Sequence, residues 1–167
     1  MDQAPGDPKG YEMAYEEGKR AIAEQAEVLK DARDRVGTVM SAAAVVAGLG
    51  AALAFNNDRA SELSSWGGVA AAISVIAFAT LTLAAVMIWR PFPGSFIIDP
   101  GVLVAGYVEG EEPARLPEIH RALAVHAGRH VDANGIALER RLWWFTVALG
   151  AFLVVVAGLI VVLADVA

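Results

Sequence analysis

The chain has 167 residues, 56% of them hydrophobic, a formal net charge of −6 and a mean hydropathy of +0.49. That is too apolar for an ordinary soluble domain of this length, and the negative charge argues against nucleic acid as a partner. The lack of cysteine excludes disulfides, thiolate catalysis and Cys-based metal sites.

The start, Met1-Asp2-Gln3, is acidic and polar, so no cleaved signal peptide is expected. Residues 1–10, with Pro5, Gly6, Pro8 and Gly10, read as a flexible leader. From Tyr11 to Phe55 the pattern predicts one helix. It is charged and amphipathic to Val36, then free of charge and rich in Ala, Gly and Val, with no Pro or turn cluster between the parts. At about 1.5 Å per residue the first part is roughly 39 Å long and the whole roughly 68 Å.

Within it Tyr11, Tyr15, Gly18, Ile22, Gln25, Leu29, Ala32 and Val36 recur in steps of three and four, the seam of a helix packed on a helix. Gly18 and Gln25 are its weak points. The steps continue through Val39, Ala43, Val46, Gly50 and Leu53. The partner is another helix of the same chain or a second copy. Small residues stand four apart at Ala44/Gly48, Ala47/Ala51 and Gly50/Ala54. Such faces let helix backbones approach closely in lipid. This first span therefore belongs at the centre of a bundle or at a subunit contact, with a pore-lining role as the alternative.

Residues 56–68 read as a short polar outer loop, and 69–89 as a second span with larger side chains (Ile73, Ile76, Phe78, Leu81, Leu83, Met87, Ile88) facing lipid. Arg90-Pro91 ends it. The linker 90–115 holds Asp99-Pro100-Gly101, where Asp99 can cap a short amphipathic helix carrying Leu103, Val104, Tyr107 and Val108. Glu109–Pro113 breaks it. Residues 116–164 then form a second cytosolic helix running into the third span, Leu142–Ala164. Its soluble part, Leu116–Arg141, has 26 residues, as does Tyr11–Val36, so the two suit a parallel stalk. Leu116, Leu123, Ala127, Asn134 and Leu138 point one way, flanked by Ile119, Val131 and Ala137. Asn134 in that stripe needs partners and suits a register-fixing role.

Gly37–Phe55, Val69–Trp89 and Leu142–Ala164 each have spanning length without a charge. Of the 13 basic residues, 12 lie before the first span or between the second and third. This positive-inside bias places the N-terminus in the cytosol and residues 165–167, an outer tail, beyond the inner membrane. Trp66, Trp89, Trp143 and Trp144 sit at span ends, and Arg33, Arg35, Arg90, Arg140 and Arg141 suit headgroup anchoring. The expected fold is an all-α integral membrane protein with three transmembrane helices, two of them extended into a cytosolic helical stalk.

The three histidines, His120, His126 and His130, lie on or beside the apolar face of the second stalk helix. His126 and His130 are four apart and could share a metal ion; hydrogen-bonded packing and a pH-responsive joint are the other readings. Two ligands are few for a stable centre, so no metal and no cofactor is expected. No phosphate loop, nucleotide fingerprint or nucleophile elbow is present, and no ionisable residue lies in a span. That argues against an enzyme and against a proton-coupled transporter.

The layout resembles the Pycsar-type transmembrane effectors and related SLATT-type domains of bacterial nucleotide-signalled antiviral systems. The local likeness falls at His130-Val131-Asp132-Ala133-Asn134 and at Leu138-Glu139-Arg140-Arg141-Leu142. It implies a homo-oligomer in the bacterial inner membrane that, when triggered, opens or disrupts that membrane in antiphage defence. The chain departs from some such effectors in having no stretch long enough for a nucleotide-sensing domain. The alternative is a non-catalytic scaffold or accessory subunit whose stalk docks a cytosolic partner protein.

Overall fold

The computed structural model describes residues 8–56, 64–91, 104 and 115–166. Three long helices carry the chain: α1 (Pro8–Asn56), α2 (Ser65–Trp89) and α3 (Leu116–Val166). All three are long and apolar enough to cross a membrane. The short helix expected around Asp99–Val108 and the break at Glu109–Pro113 lie, but for Val104, outside the described residues.

The helix ends follow local chemistry. Pro8 opens α1, where a missing N–H costs nothing because the first amides of a helix have no partner inside it. Helix α1 thus takes in the end of the expected leader. Ser64 caps α2, its hydroxyl accepting from the Gly67 N–H, so α2 begins four residues before the expected span. Glu118 lies in the first turn of α3, where its carboxylate accepts from the Arg115 N–H and suits the positive end of the helix. Neither α1 nor α3 is interrupted, because no breaker lies at Val36 or Arg141.

The chain divides into two compact units. In the first, residues 8–29 of α1 lie along residues 116–139 of α3. Tyr15 stacks on His120, Gly18 meets Ala127, and the Gln25 amide donates to the Val131 carbonyl, so the two segments run parallel. Ile22, Leu29, Leu123, Ala127, Asn134 and Leu138 are buried, while Glu16–Lys19 and Arg20–Glu24 pair on the exposed faces. Leu116, expected on the apolar stripe, is exposed. It is the first residue of α3, with no further turn to close over it.

The two expected weak points of the seam are both points of contact between the helices. A Cβ at Gly18 would lie 2.7 Å from the Ala127 Cβ, so glycine is what permits this approach. Gln25 reaches across to Val131 at 2.9 Å. Its amide oxygen is buried and makes no hydrogen bond among the described residues.

In the second unit, residues 30–56 of α1, all of α2 and residues 140–166 of α3 form a three-helix bundle. Its core is Val36, Ala43, Leu81, Ala84, Ala85, Ile88, Ala148 and Ala151, with Phe78, Trp144 and Phe152 packed around it. Helix α2 runs antiparallel to the other two: Ser64 meets Asp165, Ser74 meets Gly158, and Ile88 meets Arg141. At Gly158 a Cβ would overlap the Ser74 hydroxyl and stand 3.2 Å from the Ala70 carbonyl, so these helices touch almost backbone to backbone.

Helix α2, expected to face lipid, is divided. Ile73, Ile76 and Leu83 are exposed, but Leu81 and Ile88 are fully buried. A helix apolar on every side carries no periodic signal for its inner face; close packing selects that face.

Candidate functional site, a charged clamp on the central helix

Helix α2 ends with carbonyls that have no partner within it, as every helix does. Arg141 supplies donors. Its Nη1 donates to the carbonyls of Ile88 (3.0 Å) and Arg90 (2.8 Å), and its Nη2 to that of Pro91 (2.9 Å). Arg33 approaches the same end from α1, donating from Nε to Ile88 (3.4 Å) and from Nη2 to Arg90 (3.2 Å). Two planar, forked guanidiniums thus close one helix terminus, and their positive charge offsets the negative end of its dipole.

Arg141 is only 7% exposed. Its burial, followed by the charges of Arg33 and Arg90, pushes its guanidinium below the ordinary arginine value. Arginine starts high enough to keep its charge regardless.

Asp165 does the reverse at the other end. Its carboxylate accepts from the Ser64 backbone N–H (2.8 Å) and hydroxyl (2.6 Å), next to the first turn of α2. A negative group there complements the helix dipole. Arg141 and Asp165 are 24 residues apart in α3, about 36 Å along a helix, and α2 has 25 residues. The charges of α3 are spaced to the length of the helix they hold.

Between the ends lies an apolar groove of about 360 Å³ with walls from all three helices, including Val46, Gly50, Ala71, Phe78 and Leu159. Ser74 lines it too, its hydroxyl turned back onto the Ala70 carbonyl. Ala47 and Ala51, both exposed, also line the groove.

The remaining small residues divide. Gly50 is half-buried against Leu159, whereas Ala44 and Gly48 are exposed, with nothing within 4 Å of a Cβ built at Gly48. The Ala54 side chain lies outside the description. None of Ala44, Ala47, Gly48 and Ala51 is part of the packed core.

Of the residues expected at the membrane interface, Trp66, Trp89 and Trp143 are exposed, and Trp144 packs on the core with its ring edge-on to Trp143. Arg90 and Arg140 are exposed. Arg35, expected at the headgroups, pairs with Asp31 at 2.8 Å.

The histidines separate into one and two. His120 stacks on Tyr15 (centroids 6.0 Å, planes 16° apart). His126 and His130 meet edge to face, Nε2 to Nε2 at 2.9 Å. Among the described residues no three His, Cys, Asp or Glu side chains gather as a metal cluster.

Asp165 and Ser64 escaped the sequence reading, placed in a tail and a loop. Ser64 before Ser65-Trp66-Gly67 was legible as a helix cap, but its pairing with a residue 101 positions away was not. The chain matches no family model, no curated protein and no solved structure.

Proposed function

We propose that the chain is a non-catalytic, three-span protein of the bacterial inner membrane that works as a homo-oligomer, an effector that opens or perturbs the bilayer in conflict with phage. The observation that carries the assembly is the face of α1 bearing Ala44, Ala47, Gly48 and Ala51. It is uncharged, thin-walled and exposed on the single chain; Ala44 and Gly48 turn away from the buried Val36 and Ala43, and Ala47 and Ala51 lie between them and the groove. Small residues at such spacing favour close helix association in lipid, where packing drives contact. The defence role rests on the resemblance of layout alone. In this reading the N-terminus is cytosolic, residues 8–36 and 116–141 form the stalk, the clamp of Arg33 and Arg141 lies at the cytosolic headgroups, and Asp165 lies at the outer surface.

The test has two parts. Mass measurement of the nanodisc-held protein is expected to give a multimer, and induced expression with a membrane-potential dye is expected to report depolarisation in the triggered state. A monomer in nanodiscs removes the assembly. A multimer that never depolarises the membrane removes the pore and leaves the second reading, a scaffold whose stalk docks a cytosolic protein. That reading is favoured by Val125 and Ile136, apolar residues of α3 in the first unit that are 51% and 69% exposed. Glutamate at both positions would then abolish partner capture without changing the oligomer.

A further inference from the structure

Helix α3 carries His126 and His130 one turn apart, and residues four apart share a helix face. Their Nε2 atoms stand 2.9 Å apart, with ring centroids at 4.4 Å and planes at 75°. The contact is an N–H···N hydrogen bond whose donor depends on the tautomer. The same geometry is the bite of a chelate. Imidazole nitrogens bind borderline divalent ions at about 2.0–2.1 Å, and two nitrogens at this separation then subtend about 90° at the ion. That is the cis angle of a square-planar or octahedral centre; a tetrahedral one would ask for nitrogens about 3.4 Å apart. His126 is exposed and His130 half-buried, so an ion reaches both rings from solvent.

We infer that His126 and His130 form a two-imidazole site for a divalent transition-metal ion, with water in the remaining positions. The order of preference is Cu²⁺, then Ni²⁺, then Zn²⁺. General affinity trends run that way for nitrogen ligands, and the bite angle adds to them, since Zn²⁺ favours the wider tetrahedral spacing. Mg²⁺ and Ca²⁺, which need oxygen ligands, are refused. Arg129 and Asp132, the nearest charged neighbours in sequence, are both exposed. The ion joins two successive turns of α3 and stabilises the folded helix by mass action. His120, held against Tyr15, takes no part. The site stands independently of the proposed function.

The full chain, purified in detergent without a polyhistidine tag, is titrated calorimetrically with CuCl₂, NiCl₂ and ZnCl₂, and with MgCl₂ and CaCl₂ for comparison. The expected result is one Cu²⁺ per chain, removable by chelator, with a rise in unfolding temperature. His126→Gln and His130→Gln are each expected to weaken binding about tenfold or more, while His120→Gln leaves it unchanged. Glutamine keeps the helix propensity of these positions, and circular dichroism of each variant verifies that the fold is kept. No uptake by the native chain, equal affinity in His126→Gln and His120→Gln, or Mg²⁺ bound as tightly as Cu²⁺ each overturns the assignment.

Discussion

Arg141 and Asp165 of α3 hold opposite ends of α2, the basic residue at its carbonyl end and the acidic residue at its amide end. Each charge complements the dipole terminus it meets. In a bundle whose helices are apolar on every side, these polar ends fix which stretch of α3 lies beside α2. A slip of one turn would break both contacts together.

The two ends are expected to differ in cost. Asp165→Ala removes an exposed carboxylate from the cap and is expected to cost about 1 kcal/mol. Arg141→Leu leaves the Ile88, Arg90 and Pro91 carbonyls short of a buried charged donor and is expected to cost about 2–3 kcal/mol. Arg141→Lys is expected to recover little, because an ammonium cannot reproduce the fork. Thermal unfolding in detergent measures all three, and an Arg141→Leu variant as stable as the native chain would refute the clamp.

Gly18 and Ala127 bring α1 and α3 into close contact in the first unit. Gly18→Ala gains about 1 kcal/mol of helix propensity but must displace Ala127, an overpacking cost of about 1–3 kcal/mol. In the double variant Gly18→Ala, Ala127→Gly the clash is absent. A double-mutant cycle over these changes is expected to show a coupling of about 1 kcal/mol or more. Simple additivity would mean that the two helices are not in contact there.

At Gly158 the obstacle includes backbone. Gly158→Ala is expected to destabilise by about 2 kcal/mol, and adding Ser74→Gly is expected to restore only part, because the Ala70 carbonyl remains 3.2 Å from the new Cβ. Full rescue by Ser74→Gly, measured by the same unfolding assay, would place the whole conflict in the side chain.

Ala44→Leu and Gly48→Leu add bulk to the exposed face of α1. The stability of the single chain is expected to change by no more than about 0.5 kcal/mol, while the nanodisc-held assembly loses subunits or falls to monomer. If the multimer survives both changes, its contact lies on another face.

Much of this fold was legible because an amphipathic helix declares its partner side. The stepwise seam of α1 from Ile22 to Val36 and the stripe of α3 from Leu123 to Leu138 are the buried positions, since charges flank them on the other face. The uninterrupted passage of α1 and α3 was equally readable, as nothing in either segment breaks a helix. The histidine pair was legible as a spacing; its Nε2–Nε2 distance was not.

What the sequence alone determined is therefore the three long helices, their approximate extent and apolar character, and the inward faces of the charged halves of α1 and α3, all of which follow from local periodicity. The tertiary structure decided the rest: that Leu81 and Ile88 face inward on a helix with no polar side, that Gly158 is a contact point, and that Arg141 and Asp165 clamp α2. Those outcomes depend on which backbones approach most closely and on polar groups brought together from 50 to 101 residues apart. Such choices leave no periodic trace in the chain, because a uniformly apolar surface has no contrast to record them.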